Sequence, residues 1–395
     1  MDDISLISRQ KKLFIDDFKK NEALILKIVK ENSFLIIGGA GSIGQAVSKE
    51  IFIRGPQKLH VVDINENSLV ELVRDLRSSF GYIKGEFKTF AIDISTNEFK
   101  AFLNTQKQYD YVLNLSAIKH VRSEKDPFTL MRMIYTNIIN VVDTIELLKE
   151  KKIKKYFCVS TDKAANPVNL MGASKKIMEM FLNLKSNDIS ISSARFANVA
   201  FSDGSLLHGL NQRFIKKQPI SAPIDIKRFF LTSQEAGQLC LLSCLFGGNN
   251  EIFFPKQSDN LKLTDFISII NKFLNSKGFE PHLCKTEELA RLNTKKLINK
   301  GKWPCYFFQS DTTGEKPFEE FFTKDEEINL TNFFDVGIVS NNREYNANKL
   351  DMFYKNIKVL RNNLNWSKND IIQEVKKILP YFSHSELNKS LDEKM

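Results

Sequence analysis

The stretch Gly38-Gly39-Ala40-Gly41-Ser42-Ile43-Gly44 constrains this chain more than any other. It follows a short apolar run at 33–37 that reads as a buried strand, and it opens a helical pattern at 42–53. Gly39, Gly41 and Gly44 satisfy GxGxxG; Gly38, Gly41 and Gly44 satisfy GxxGxxG. Glycine is needed there because the backbone must turn tightly and let a pyrophosphate come close. The first helical residues, Ser42 and Ile43, offer unpaired N–H groups at the positive end of the helix dipole. A strand, a glycine loop and a helix in that order point to an open α/β sheet, which binds its ligand outside the carboxyl ends of its strands.

The alternation continues past the loop. Strands are expected at 59–64, 87–94, 109–115, 155–160, 189–196 and 251–254, and helices at 67–80, 127–151 and from Asn169 onward. This rhythm predicts a Rossmann-type doubly wound parallel sheet with right-handed crossovers. Ahead of it, Leu13, Phe14, Phe18, Leu24, Ile25, Ile28 and Val29 recur at helical spacing, so 7–30 reads as an amphipathic helix packed on the main domain or on a partner subunit. After Asn198 the rhythm breaks at the turn Ser202-Asp203-Gly204-Ser205, with further helices expected at 261–274 and 367–379. The resulting division is an N-terminal helical segment (1–32), a dinucleotide domain (33–200, completed by 230–256), a smaller mixed substrate-binding region (201–229 and 257–335) and a helical C-terminal extension (336–395).

The second strand ends in Val61-Val62-Asp63, which places a carboxylate about 20 residues past the loop, where it would accept hydrogen bonds from an adenosine ribose. That carboxylate would repel a 2′-phosphate, and Ile64 and Asn65 carry no compensating charge, so NAD is favoured over NADP; Arg54 is the residue that would argue otherwise. Asp93 and Ile94, ending the third strand, stand where they could flank the adenine.

Bulk properties narrow the setting. With 42% hydrophobic and 26% charged residues and no apolar run long enough to span a bilayer, the chain reads as a cytoplasmic globular protein; its acidic start, Met1-Asp2-Asp3-Ile4, has no signal-peptide core. The five cysteines form no CxxC pair and are expected to be buried thiols, with no metal site. The net charge of +10 is spread along amphipathic helices and not interleaved with aromatics, which argues for a solvated basic surface and against nucleic-acid binding. The helix pairs point to a homo-oligomer, a dimer or larger.

A second stretch concentrates polar chemistry at a strand's end: Ser160-Thr161-Asp162-Lys163, running on to Met171 and Lys175 in the helix that follows. The glycine loop, Asp93, Asn114-Leu115-Ser116-Ala117 and a downstream lysine together resemble the extended short-chain dehydrogenase/reductase superfamily. Within it, Ala117-Ile118-Lys119-His120-Val121, Ser160-Thr161-Asp162-Lys163-Ala164 and Arg195-Phe196-Ala197-Asn198-Val199 resemble the CapD-like polysaccharide-biosynthesis proteins. The 302–304 and 310–316 segments and the ending 382–395 look like a soluble, configuration-retaining subgroup of UDP-N-acetylglucosamine 4,6-dehydratases. Most of the superfamily has tyrosine four residues before the lysine; Met171 stands there, and a thioether exchanges no proton. The retaining dehydratases are known for methionine at this place.

The resemblance implies NAD as cofactor, a UDP-sugar as substrate and a dehydration: oxidation at C4, loss of water across C5 and C6, and return of the hydride to C6. Ser116 and Ala117 would join the glycine loop in holding the cofactor. Thr161 would bind the C4 oxygen, and Asp162, its pKa raised by burial, would protonate the departing C6 hydroxyl. Lys163, its pKa lowered by burial or a cationic neighbour, would take the C5 proton. Either Asp162 or Lys163 takes the C4 hydroxyl proton, and Lys175 would anchor the nicotinamide ribose. Lys119, His120, Asn198, Arg228 and Glu315 are candidates for the sugar, the diphosphate and the uridine. A 4-epimerase, a C5-inverting dehydratase and a non-catalytic NAD-binding scaffold are the alternatives.

Overall fold

The computed structural model describes residues 3–106, 108–310, 316 and 318–383. Among them, nine strands form one sheet: β1 (Ser33–Ile37), β2 (Lys58–Asp63), β3 (Glu86–Ala91), β4 (Tyr111–Asn114), β5 (Lys155–Thr161), β6 (Ile191–Phe196), β7 (Glu251–Pro255), β8 (Glu327–Asn329) and β9 (Val336–Ser340). Their spatial order is β8-β9-β7-β6-β5-β4-β1-β2-β3. Strands β3 through β7 of that order pair in parallel, while β9 and β8 add antiparallel at the far edge. The sequence pattern assigned 327–329 to the substrate-binding region and 336–340 to the C-terminal extension; both pair within the main sheet.

The order reverses direction at β1. The chain steps outward to β2 and β3, then returns to place β4 on the other side of β1, which opens a crevice between the ends of β1 and β4. Register pairs Ile37 with both Val62 and Asn114, so the loops after β1, β2 and β4 leave the sheet at one level.

Side chains alternate across the strands and build two cores. Phe34, Ile36, Phe157 and Val159 face one layer with the helices Ile15–Glu31, Ser42–Phe52, Glu66–Phe80 and Ser233–Phe246. Leu35, Ile37, Tyr156 and Cys158 face the other, with Asn97–Thr105, Pro127–Ile134, Leu170–Lys185, Ala347–Asn362 and Lys368–Ile378. The last two helices cover Leu170–Lys185, whose residues 170–175 are all buried. A smaller third core around Trp303, Ile220 and Leu210 supports a separate three-stranded sheet. All five cysteines are buried and free, and no group of metal-binding residues occurs among the described residues.

Two expected helices begin late. The leading one begins at Ile15, after a short helix Asp3–Leu6. Tertiary partners interrupt it: Glu235 pairs with Arg9 and accepts the Leu13 N–H at 2.7 Å, and Asp335 accepts the Phe14 N–H at 2.8 Å. It packs on the main domain through Phe18, Ile25 and Val29. The expected helix over 261–274 begins at Phe266, because Thr264–Asp265 pairs with Lys227–Arg228 and Asp265 then caps the helix.

One buried ion network joins the sheet to its neighbours. Arg195 on β6 is fully buried. Its Nε and Nη2 donate to Glu179 at 2.9 and 2.7 Å, and its Nη1 and Nη2 donate to Glu326 at 2.7 and 2.8 Å. Its remaining Nη1 bond goes to the Phe321 carbonyl at 2.9 Å. Lys176, 3.8 Å from Glu179 and 3.6 Å from Glu326, supplies the second cation and balances the charge. Burial raises the Glu326 pKa, but hydrogen bonds and charge from Arg195 outweigh it and hold the carboxyl at about 2.

Arg195→Met strands two buried carboxylates and is expected to cost about 3–5 kcal/mol in urea unfolding. In the wild type the Glu326 contribution is present above the ordinary carboxylate value of 4.5 and is lost as pH falls toward about 2. Stability measured across that acid window should therefore fall less steeply in Arg195→Met.

Candidate active site

The glycine loop forms one wall of the crevice. The Gly38 and Gly39 N–H groups donate to the Val62 carbonyl at 2.8 and 3.2 Å. Gly38 has φ +72°, and a Cβ there would lie 2.5 Å from the Ser116 nitrogen; a Cβ at Gly44 would lie 2.3 Å from the Gly38 carbonyl. Loop, helix and the β4 end are thus in backbone contact, a cradle that a side chain would fill. Gly41 precedes the helix as its cap residue, and Ser42 and Ile43 begin it. Asp63 holds the loop in place: its carboxylate accepts the Ala40 and Asn65 N–H groups, both at 2.9 Å. Each carboxylate oxygen retains capacity for a further bond. Asp93 accepts the Ser95 N–H at 2.8 Å, and Ile94 packs on the second core.

Ser116 is fixed by Asn114, whose Oδ1 accepts its N–H at 3.1 Å and its hydroxyl at 2.7 Å. Asn137 then pins the chain just past Ala117. Its Oδ1 accepts the Ile118 N–H and its Nδ2 donates to the Ile118 carbonyl, each at 3.0 Å, and to Ser174 Oγ at 2.9 Å. Asn137 lies in the π-helical turn Tyr135–Ile139, which interrupts the expected 127–151 helix. Sequence reading missed it; the available signal is an asparagine inside an apolar helical run.

At the end of β5, Asp162–Ala164 forms a 3₁₀ turn. Asp162 is buried, and its Oδ1 accepts from Thr161 Oγ1 at 2.8 Å, from the Lys163 N–H at 2.9 Å and from Lys163 Nζ at 3.1 Å. Glu319, also buried, stands 3.6 Å from the same ammonium. Burial pushes the Lys163 pKa down, but Asp162 and Glu319 outweigh it, so the net shift is upward. The expected depression of Lys163 is therefore reversed: two carboxylates face this lysine, and Arg228 is the cation that opposes them. Glu319 is raised, chiefly by burial. It went unassigned in the sequence, where only its setting among Phe318, Phe321 and Phe322 marked it.

Arg228 is buried and donates to the Lys316 carbonyl at 2.9 Å. Lys316 Nζ in turn donates to the Asn166 carbonyl at 2.6 Å, and Asn166 donates to Glu320 at 2.8 Å. The structure thus brings Thr161, Asp162, Lys163, Arg228 and Glu319 together. Met171 has its N–H on Glu124 Oε1 at 2.7 Å and its side chain in the second core. One turn on, the buried Lys175 donates to the Val159 carbonyl at 2.9 Å, and burial depresses its pKa.

A second group lies by the glycine loop. Lys119 donates to Ser202 Oγ at 3.4 Å, and His120 sits so close to Gly204 that a Cβ there would lie 2.7 Å from its Nε2. Burial, then Lys119 and Arg122, depress the His120 pKa. Asp203 accepts the Ser42 hydroxyl at 2.9 Å. Asn198 lies on a short strand paired with Phe230–Leu231. Glu315 and the tail from 384 lie outside the described residues.

A parallel sheet of this order, a glycine cradle at its switch point and a polar cluster at the end of β5 define an extended short-chain dehydrogenase/reductase. More narrowly, the chain belongs to the polysaccharide biosynthesis protein family, whose pattern matches residues 34–341. It is 31% identical to an uncharacterized membrane protein of Methanocaldococcus jannaschii, over 80% of this chain and 87% of that one. No helix among the described residues is long and apolar enough to cross a membrane. It is 28% identical to the capsular polysaccharide biosynthesis protein CapD of Staphylococcus aureus over 79% of this chain, spanning 48% of that protein. It is 27% identical to the inverting UDP-N-acetylglucosamine 4,6-dehydratase of Campylobacter jejuni, over 62% of this chain and 73% of that one. Among solved structures, Pen from Bacillus thuringiensis superposes with a TM-score of 0.62 at 21% identity, covering 81% of this chain and 90% of that one.

Gly172 sets how closely the Leu170–Lys185 helix approaches the Asp162–Ala164 turn. A Cβ there would lie 2.6 Å from the Lys163 carbonyl and 3.2 Å from Asn169 Oδ1. Gly172→Ala is expected to cost about 1–3 kcal/mol, read as a lower urea midpoint. Gly209→Ala, on a helix with open space at that position, should stabilise by roughly 0.4–1 kcal/mol.

Proposed function

We propose that this chain is an NAD-dependent nucleotide-sugar 4,6-dehydratase that converts UDP-N-acetylglucosamine to the 4-keto-6-deoxy sugar with retention at C5. The observation that carries the reading is the pairing of a buried carboxylate with an amine at the end of β5, Asp162 Oδ1 to Lys163 Nζ at 3.1 Å. An elimination needs both an acid and a base beside the sugar. The glycine cradle and the helix start at Ser42 fit a dinucleotide pyrophosphate, with Asp63 beside the loop for the adenosine ribose and Lys175 for the nicotinamide ribose. NAD held there would supply the redox chemistry, as acceptor and then donor of the one hydride exchanged between C4 and C6.

The chain's own groups move the protons. Thr161 hydrogen-bonds the C4 oxygen. Asp162 takes the C4 hydroxyl proton and delivers it to the C6 hydroxyl, which leaves as water. Lys163 removes the C5 proton and returns it to the same face. Atoms balance: the substrate loses the C4 hydroxyl proton and the C6 hydroxyl, and nothing else. Arg228 suits the diphosphate through its fork of donors. Met171 is inert in proton transfer. The family membership and the 4,6-dehydratase relative support the reaction class; the methionine favours retention over the inverting course.

Asp162→Asn and Lys163→Met are each expected to lower turnover by roughly 10²–10⁴-fold while still binding NAD and the UDP-sugar. The check is mass spectrometry of the nucleotide sugar, in which product formation registers as loss of water. Near-normal turnover in both variants would overturn the assignment. An unchanged substrate with the wild type would favour the scaffold reading.

A further inference from the structure

We propose that Glu319 is the proton partner of Lys163, a positioning residue that holds the lysine's proton so that a neutral amine meets C5. This rests on the dehydratase reading above. Lys163 alone is poorly prepared to act as a base. It lies against Asp162 at 3.1 Å and Glu319 at 3.6 Å. Both carboxylates favour the ammonium, and an ammonium removes no proton.

Glu319 differs from the carboxylates that serve structure. Glu179 and Glu326 each take two short hydrogen bonds from Arg195. Glu319 instead meets its cation at 3.6 Å, a few tenths of an ångström beyond a hydrogen bond, with only 4% of its surface exposed. It is delivered there by force of packing. Two residues on, Phe321 lies in the core with its carbonyl held by Arg195. Burial raises Glu319, which makes a neutral carboxyl accessible to it. Among the described residues, the other charges facing the pair are Asp162 on the 3₁₀ turn, Arg228 on its strand and Lys316 just ahead of Glu319. Arg228 opposes the ammonium form of Lys163.

The step balances. An N–H bond of Lys163 breaks and an O–H bond forms on Glu319, which turns an ion pair into two neutral groups. The C5–H bond then breaks and its proton forms a new N–H bond on Lys163. The electron pair left at C5 forms the bond to C6 as the C6–oxygen bond breaks, with Asp162 protonating the leaving hydroxyl. After hydride reaches C6, Lys163 returns its proton to C5, and Glu319 gives back the proton it stored.

The test compares Glu319→Gln and Glu319→Asp with the wild-type holoenzyme on UDP-N-acetylglucosamine across pH. C5 exchange in deuterated water is followed beside turnover. Glutamine accepts no proton, so Lys163 must lose its own to solvent. Turnover and C5 exchange of Glu319→Gln should fall about 100-fold near neutral pH, then recover by about tenfold per pH unit as the medium becomes alkaline. KM should stay unchanged, and Glu319→Asp should restore most of the rate at neutral pH. A Glu319→Gln profile matching the wild type overturns the proposal. A loss that neither alkaline pH nor aspartate recovers also overturns it, because that is the signature of a structural role. Wild-type protein that leaves the sugar unchanged overturns the dehydratase reading itself and is distinguished from both.

Discussion

A guanidinium sealed from water must have every donor matched and its charge neutralised, and Arg195 meets both demands. Its five N–H groups make five hydrogen bonds, four to Glu179 and Glu326 and one to the Phe321 carbonyl. These partners come from different parts of the chain: β6, the helix Leu170–Lys185 and the segment leading into β8. Ser160 joins through its hydroxyl on Glu179 at 2.7 Å, which ties in β5. Displacing any one of these elements would leave a buried charge uncompensated, so their relative positions are set by electrostatics as much as by packing. The strand end carrying Asp162 and Lys163, the helix carrying Met171 and Lys175, and the segment carrying Glu319 therefore hang from one knot.

The second ionic cluster is built on looser terms. Asp162 and Glu319 face Lys163 and Arg228, again two charges of each sign. Here the lysine makes one side-chain hydrogen bond to a carboxylate at 3.1 Å and stands 3.6 Å from the other. A saturated network resists any change of protonation, whereas the longer Lys163–Glu319 contact leaves that carboxylate placed to accept a proton. The two networks are joined along the chain, through Ser160 beside Thr161 and through Phe321 two residues from Glu319. That arrangement suits proton transfer, in which donor and acceptor must be placed firmly while their hydrogens remain free to move.

The sheet and its switch point were legible because their signals are local. Apolar runs bounded by turns mark β1 to β7, and the glycines between β1 and its helix meet a demand for close backbone approach that a residue with a side chain cannot. The Thr161-Asp162-Lys163 cluster was legible for the same reason: its members are neighbours in the chain. What escaped was non-local. Glu319 joins Lys163 across more than 150 residues, and the break before Ile15 depends on Glu235 and Asp335, far downstream. Asn137 was hidden by its context, since a polar residue inside an apolar helix reads as tolerated until its bonds to Ile118 and Ser174 are seen. The helix Leu170–Lys185 shows the same limit. The C-terminal helices bury its outer side, so its pattern is not that of a surface helix.

Met171 changes what the rest of the cluster must do. A phenol at that position would bring its own exchangeable proton, and a lysine one turn later would serve to tune it. The thioether removes that option and its side chain joins the core instead. On the proposed function, the Asp162–Lys163–Glu319 group then has to hold the mobile protons alone. It is physically able to do so because it contains two carboxylates and one amine in contact, so a proton lost by one member has an acceptor within the same enclosure. A lone aspartate–lysine pair would offer the lysine's proton no second acceptor, and a charged lysine removes no proton. On the proposed reading, the missing hydroxyl and the additional buried carboxylate are two sides of one change: the proton store has moved from the helix after β5 to the segment anchored by Arg195.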